Sequence, residues 1–84
     1  MYKINTEVVS SKLGDQIIVL NIETGKYYQL DGTSVYIWNL LEDPKTKEQL
    51  KEEIEKRFMS NDRIDRDLES LLHYLRSEKL IDKS

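Results

Sequence analysis

Val19-Leu20-Asn21-Ile22-Glu23-Thr24-Gly25-Lys26-Tyr27-Tyr28-Gln29-Leu30-Asp31-Gly32-Thr33 reads as a β-hairpin whose second arm stops short and gives way to a helix. The first arm begins upstream at Gln16-Ile17-Ile18, a β-branched run bounded by turn residues. Asn21 can bond forward to the backbone, and Gly25 supplies positive φ without a Cβ penalty, as a four-residue hairpin loop requires. Setting Asn21 opposite Lys26 fixes the register: Leu20 faces Tyr27, Val19 faces Tyr28, Ile18 faces Gln29 and Ile17 faces Leu30. Side chains alternate along a strand, so Ile17, Val19, Tyr28 and Leu30 share one apolar face, the expected core side. The opposite face carries Ile18, Leu20, Tyr27 and Gln29, more apolar than a solvated face needs, so partial cover is expected there.

Working outward, Thr6 to Lys12 has strand character and Leu13-Gly14-Asp15 reads as a turn, which makes a meander of three strands. Helices follow. Thr33 or Asp31 can cap a first helix reaching about Leu41, with Ile37, Trp38 and Leu41 on one core stripe, and Asp43-Pro44 breaks it. Thr46-Lys47-Glu48-Gln49 is a capping box that opens a second helix, with Leu50, Ile54 and Phe58 spaced by four. Met59-Ser60-Asn61-Asp62 is the next break. A third helix, about Asp62 to Ser77, repeats Ile64, Leu68, Leu71 and Leu75 at four, three and four, and Leu80-Ile81 forms a short apolar tail. The expected class is α+β: a three-stranded antiparallel sheet followed by three helices, the last two with helix-turn-helix proportions, hence winged-helix-like.

Size and composition restrict what such a chain does. Eighty-four residues are expected to make a single domain over 1–84, with one core and no room for a deep catalytic cleft. Charged residues are 35% and apolar ones 38%, which suits a folded, helix-rich domain. With no cysteine there is no disulfide, thiolate nucleophile or Cys-ligated metal. No apolar run reaches the length of a membrane span and Met1-Tyr2-Lys3-Ile4-Asn5 lacks a signal-peptide core, so a cytoplasmic protein away from membranes is expected.

The run Ile18-Val19-Leu20-Asn21, Glu23 to Asp31, then Ile37-Trp38-Asn39-Leu40-Leu41, resembles the PqqD-type peptide chaperones, also called RiPP recognition elements. Thr46 with Leu50, and Asp67-Leu68 followed by Leu71, Leu72, Leu75 and Leu80, extend the resemblance over roughly Val8 to Ile81. It implies a non-catalytic protein, without cofactor, that binds the leader of a ribosomally made precursor peptide and presents it to modifying enzymes. It also implies that the leader joins the third strand, Lys26 to Leu30, as an added antiparallel strand, in a cleft closed by the third helix. The Thr-Gly-Lys-Tyr-Tyr hairpin looks most like the free-standing lasso-peptide subgroup, which implies a leader-removing protease and a cyclase as partners. Members that partner a radical enzyme in cofactor or other RiPP biosynthesis are the alternative. The family commonly has Gly just before the final Leu, where this chain has Lys79, so the geometry of the last turn departs from the pattern.

The strand itself supports docking without the name. In a meander the third strand is an edge, and Lys26 to Leu30 has one charge, no Pro and no evident bulge to resist pairing, whereas the first strand is blunted by Glu7, Ser10, Ser11 and Lys12. A guest of about five residues makes three to five backbone bonds worth ~0.5–1.5 kcal/mol each. A micromolar complex needs about −8 kcal/mol, so side-chain pockets must supply the rest and all of the selectivity. The candidate leader-binding residues are Lys26, Tyr27, Tyr28, Gln29 and Leu30 on the strand and Asp67, Leu71, Tyr74 and Leu75 on the third helix, with a guest apolar or Pro side chain among Tyr28, Leu71 and Leu75. Trp38 is read as core and His73 as a surface or packing residue. The helical carboxylates are read as solvated faces with i,i+4 partners, Asp62 and Asp65 as caps or dipole partners.

The rival readings are weaker. A winged-helix DNA-binding protein shares the fold, but Arg63, Arg66, His73, Arg76 and Lys79 are offset by Asp62, Asp65, Asp67, Glu69 and Glu78, and the net charge is −3. An enzyme would need a nucleophile–base pair, a phosphate loop or a metal set. Asp62-Arg63-Ile64-Asp65-Arg66-Asp67 lacks the glycine and spacing of a calcium loop, so neither a catalytic residue nor a metal is expected. A monomer is the default, with exchange of the N-terminal hairpin between copies conceivable at an open edge.

Overall fold

The computed structural model describes residues 1–58 and 62–84, the side chain of Asp62 excepted. Along the chain run β1 (Tyr2–Ile4), β2 (Val8–Leu13), β3 (Gln16–Asn21), β4 (Tyr27–Leu30), α1 (Thr33–Leu40), α2 (Lys47–Arg57), α3 (Asp62–Ser77) and β5 (Ile81–Lys83). The meander is β2-β3-β4, antiparallel throughout, with β4 at one edge. Its hairpin register is the one the side-chain alternation predicts, from Leu20 opposite Tyr27 to Ile17 opposite Leu30. Gly14 at φ 64 and Asp15 alone turn β2 into β3. In the second loop Thr24 N–H donates to Asn21 Oδ1 (3.0 Å) and Gly25 sits at φ 75.

The predicted inner face is the core side. Ile17, Val19 and Leu30 are buried together with Ile37, Trp38 and Leu41 of the α1 segment, Leu50 and Ile54 of α2, and Leu68, Leu72 and Leu75 of α3. Burial of this apolar set is the main favourable term holding sheet to helices. The outer face is not covered as expected. Tyr27 is 72% exposed and Gln29 is open to solvent, with only Ile18 and Leu20 half-buried. The sheet therefore has one packed and one solvated side.

Several expectations need correction. Neither Thr33 nor Asp31 caps α1 with its side chain. Gly32 occupies the cap at φ 57, and Ser34 Oγ, one turn in, bonds back to the Asp31 carbonyl and accepts from its N–H (3.1 Å). Phe58 is not a third core residue of α2. It follows the helix in extended conformation, 41% exposed, and meets Tyr36 edge-on at 5.8 Å. The core stripe of α3 is Leu68, Leu72 and Leu75, leaving Ile64 and Leu71 half-buried at its margin. Asp65 and Glu69, read as part of a solvated face, find partners on the neighbouring helix. Lys47 reaches Glu69 at 3.0 Å and Asp65 at 3.8 Å, and Lys51 reaches Asp65 at 3.7 Å, so these charges tie α2 to α3. The expected break at Met59-Ser60-Asn61-Asp62 falls largely outside the described residues, and Asp62 opens α3.

The start of α2 fits the sequence reading closely, whereas the two ends of the chain do not. Thr46 Oγ1 accepts from Gln49 N–H (3.1 Å) and Gln49 Oε1 accepts from Thr46 N–H (2.9 Å), closing the capping box. The tail beyond α3 goes further than a tail: Ile81–Lys83 pairs with Tyr2–Ile4 to make a second, two-stranded sheet, and Tyr2 also exchanges bonds with Lys45 (2.6 and 2.9 Å). Lys79 takes φ 60, the left-handed conformation glycine would adopt most cheaply. Leu80 N–H bonds to Leu75 C=O (2.9 Å) and Lys79 N–H to Arg76 C=O (3.0 Å), the paired bonds of a Schellman ending.

Candidate peptide-docking cleft

The open edge is β4, four residues without charge or proline. Asn21 N–H donates to Lys26 C=O (3.1 Å), which makes that pair hydrogen-bonded across the hairpin. Hydrogen-bonded and non-bonded pairs alternate in an antiparallel ladder. The backbone groups of Tyr28 and Leu30 therefore turn toward β3, and those of Tyr27 and Gln29 point outward. Each presents one donor and one acceptor to solvent, four groups in the spacing a fourth strand of this sheet would use.

What positions this edge against α3 is a polar anchor. Asn21 has no exposed surface, and its Nδ2 donates to the Lys79 carbonyl at 2.8 Å, across 58 residues of chain. Asn5 Nδ2 donates to the same carbonyl at 2.9 Å. The residue that reverses the chain after α3 thus also receives the hairpin. Farther along, Tyr28 meets Tyr74 edge-on at 6.4 Å, and its hydroxyl donates to Glu78 Oε1 at 3.2 Å. Burial, followed by the neighbouring Glu78 carboxylate, holds the Tyr28 phenol above its ordinary pKa.

The sequence-predicted site residues fall into three groups. Tyr27, Tyr28, Gln29 and Leu30 form the edge strand, with Lys26 one position before it as the last loop residue. Tyr74, 47% exposed, stands beside Tyr28, and half-buried Leu71 lies one turn back on α3. Leu30 and Leu75 are buried at 5% and 0%, so Leu75 supports the cleft from beneath and offers no free surface. Asp67 is exposed and lies farther along α3, away from Tyr28 and beside the groove described next.

Just past the Leu30 end of β4, beginning at Asp31, lies a groove of about 610 Å³. Ile37, Ile54 and Leu68 form its floor, Phe58, Ile64 and Leu71 its walls, and Asp31 and Asp67 stand among its lining. Sequence reading found Asp67 and Leu71 but missed Asp31, Phe58 and Ile64 as groove residues. Phe58 and Ile64 carry apolar spacing that reads as core, yet Phe58 is exposed and Ile64 is half-buried at the margin of the core. Among the described residues there is no cluster of His, Cys, Asp and Glu able to hold a metal ion, and no helix is long and apolar enough to cross a membrane.

The fold that carries this site recurs in known proteins. TbiB1, solved in complex with the TbiA(beta) leader peptide, superposes with a TM-score of 0.89 at 31% identity, over 98% of this chain and 96% of that one. A lasso peptide synthetase B1 complexed with its leader peptide gives a TM-score of 0.83 over 98% of both chains; at 17% identity it supports the fold alone. No curated protein matches the sequence significantly. The family model for coenzyme PQQ synthesis protein D matches residues 16–81, spanning the hairpin, all three helices and the start of β5. By that match, and by the likeness to TbiB1 along nearly its whole length, the chain belongs to the PqqD family.

Proposed function

We propose that this chain, acting over 1–84 as one non-catalytic recognition domain, captures the leader of a ribosomally synthesised precursor peptide. The leader adds as a strand to the edge of β4, against α3. The complex is then presented to a leader-removing protease and a cyclase in lasso-peptide-type biosynthesis. The observation that carries the reading is the outward set of backbone groups on Tyr27 and Gln29, at a strand edge that lacks charge and proline and meets α3 through the Tyr28–Tyr74 contact. TbiB1, 31% identical, is a leader-peptide complex in the same fold. A single cytoplasmic copy suffices for this task. A radical-enzyme partner in cofactor biosynthesis fits the family equally by name but is not favoured by the hairpin.

The residues divide the work. Tyr27 and Gln29 hold the guest backbone. Tyr28, Leu71 and Tyr74, with Leu30 and Leu75 beneath, receive an apolar guest side chain. Lys26 closes the strand at its hairpin end. Four backbone bonds at ~0.5–1.5 kcal/mol each leave a micromolar complex dependent on these side chains. The test is Gln29→Pro, which removes one outward N–H while leaving the bonds to β3 in place. Titrated with a fluorescently labelled lasso-type leader peptide that the wild type binds, the variant should bind roughly fivefold to tenfold more weakly with an unchanged circular dichroism spectrum. Unchanged affinity would remove β4 as the docking edge.

A further inference from the structure

The groove at the Leu30 end of β4 has a chemistry different from the cleft beside Tyr74. Its floor of Ile37, Ile54 and Leu68 and its wall at Leu71 are apolar, yet two carboxylates, Asp31 and Asp67, line it from opposite elements. Asp31 follows β4 directly, and Asp67 projects from α3 one turn before Leu71. Neither carboxylate has an ion-pair partner among the described residues, whereas Asp65 and Glu69 on the same helix are engaged by Lys47 and Lys51. A groove with an apolar floor and unpaired anionic margins is complementary to a segment carrying an apolar side chain and a cation close together.

The direction of the guest decides which segment that is. Every strand pairing among the described residues is antiparallel, and antiparallel addition is the more stable choice at such an edge. A strand antiparallel to β4 brings its upstream residues to the Leu30–Asp31 end. The groove begins at that end, because Asp31, the residue directly after β4, lines it.

We infer that this groove selects the stretch of the guest immediately upstream of the paired residues, and that it prefers there an apolar side chain with a Lys or Arg within a few positions. The inference rests on the docking reading above and deepens it. Asp31 and Asp67 are the specificity-determining residues, reading charge, while the groove floor reads hydrophobic bulk.

The experiment selects a phage-displayed library of random 15-residue peptides on the full chain. Affinities of enriched peptides are then measured at low and high salt for the wild type and for the double variant Asp31→Asn/Asp67→Asn. Amide exchange of Tyr27–Leu30 is followed in each complex. Enrichment of Lys or Arg upstream of the strand-forming residues is expected. So is a loss of about threefold to twentyfold in the double variant, with its salt dependence flattened. Peptides that protect the Tyr27 and Gln29 amides yet carry no basic preference, or bind the double variant equally well, would overturn this inference and leave the docking edge standing. Peptides that protect none of those amides would overturn the docking reading and this inference with it.

Discussion

Replacing Asn21 tests how the hairpin is held to the last helix. Its side chain makes two bonds, donating to the Lys79 carbonyl at 2.8 Å and accepting from Thr24 N–H at 3.0 Å, in a site with no solvent exposure. Asn21→Ala removes both. At ~0.5–1.5 kcal/mol per bond the loss is about 2 kcal/mol, which for a domain of this size lowers Tm by roughly 8–16 °C. The Lys79 carbonyl keeps its bond from Asn5 Nδ2, so the loss stays below that of a fully orphaned acceptor. Asn21→Asp is sharper. Its carboxylate can still accept from Thr24 but meets the Lys79 carbonyl without a donor, so at neutral pH it should be less stable than Asn21→Ala. Only the protonated acid can donate there, which raises the folded-state pKa of the introduced Asp. Its stability should therefore be greatest below the unfolded value of about 3.9 and fall as pH rises through the folded one, the reverse of a salt-bridged carboxylate. Urea melts at pH 3.5 to 7.5 measure both variants. An Asn21→Ala loss under ~0.5 kcal/mol, or an Asp variant more stable than Ala at pH 7, would refute the anchor.

Other outcomes follow from particular contacts. Lys79→Gly relieves a left-handed residue at φ 60 and should stabilise the fold by up to about 1 kcal/mol in thermal melts, while Lys79→Val should destabilise it by more. Tyr28 and Lys47 both have folded-state pKa values above their ordinary ones, Tyr28 through burial and Glu78, Lys47 through its bond to Glu69. Their contributions are thus full below pH 10 and lost as pH climbs through the folded values; ultraviolet titration should show Tyr28 ionising late, and Tyr28→Phe should abolish that step. Leu71→Glu, at a half-buried position, should keep the fold by circular dichroism and weaken leader binding about tenfold or more, whereas equal affinity would place the apolar pocket elsewhere.

Much of the fold was legible because its signals are local. The β3–β4 register follows from alternation plus one Asn and one Gly, and the α2 start from a Thr and a Gln three apart. The closing sheet was not legible: three residues at each end, Tyr2–Ile4 and Ile81–Lys83, are too short to show a period, and their pairing spans nearly the whole chain. The α3 stripe differs by one position because Leu71 and Leu72 both satisfy helical spacing, and only the packing of the core chooses Leu72. Likewise, Asp65 and Glu69 looked like partners within their own helix, and the α2–α3 approach gives them to Lys47 and Lys51. The candidate site divides the same way. Its edge strand was readable in the sequence, while the groove of Asp31, Phe58 and Ile64 depends on three elements meeting.

Backbone amide exchange, read residue by residue by NMR with and without the labelled leader, tests the docking edge most directly. In the free protein the Tyr28 and Leu30 amides, bonded to β3, should exchange slowly, and those of Tyr27 and Gln29 quickly. Saturating leader should slow Tyr27 and Gln29 and leave Tyr28 and Leu30 nearly as they were. Fast exchange persisting at Tyr27 and Gln29, or new protection appearing along β2 instead, would contradict the account.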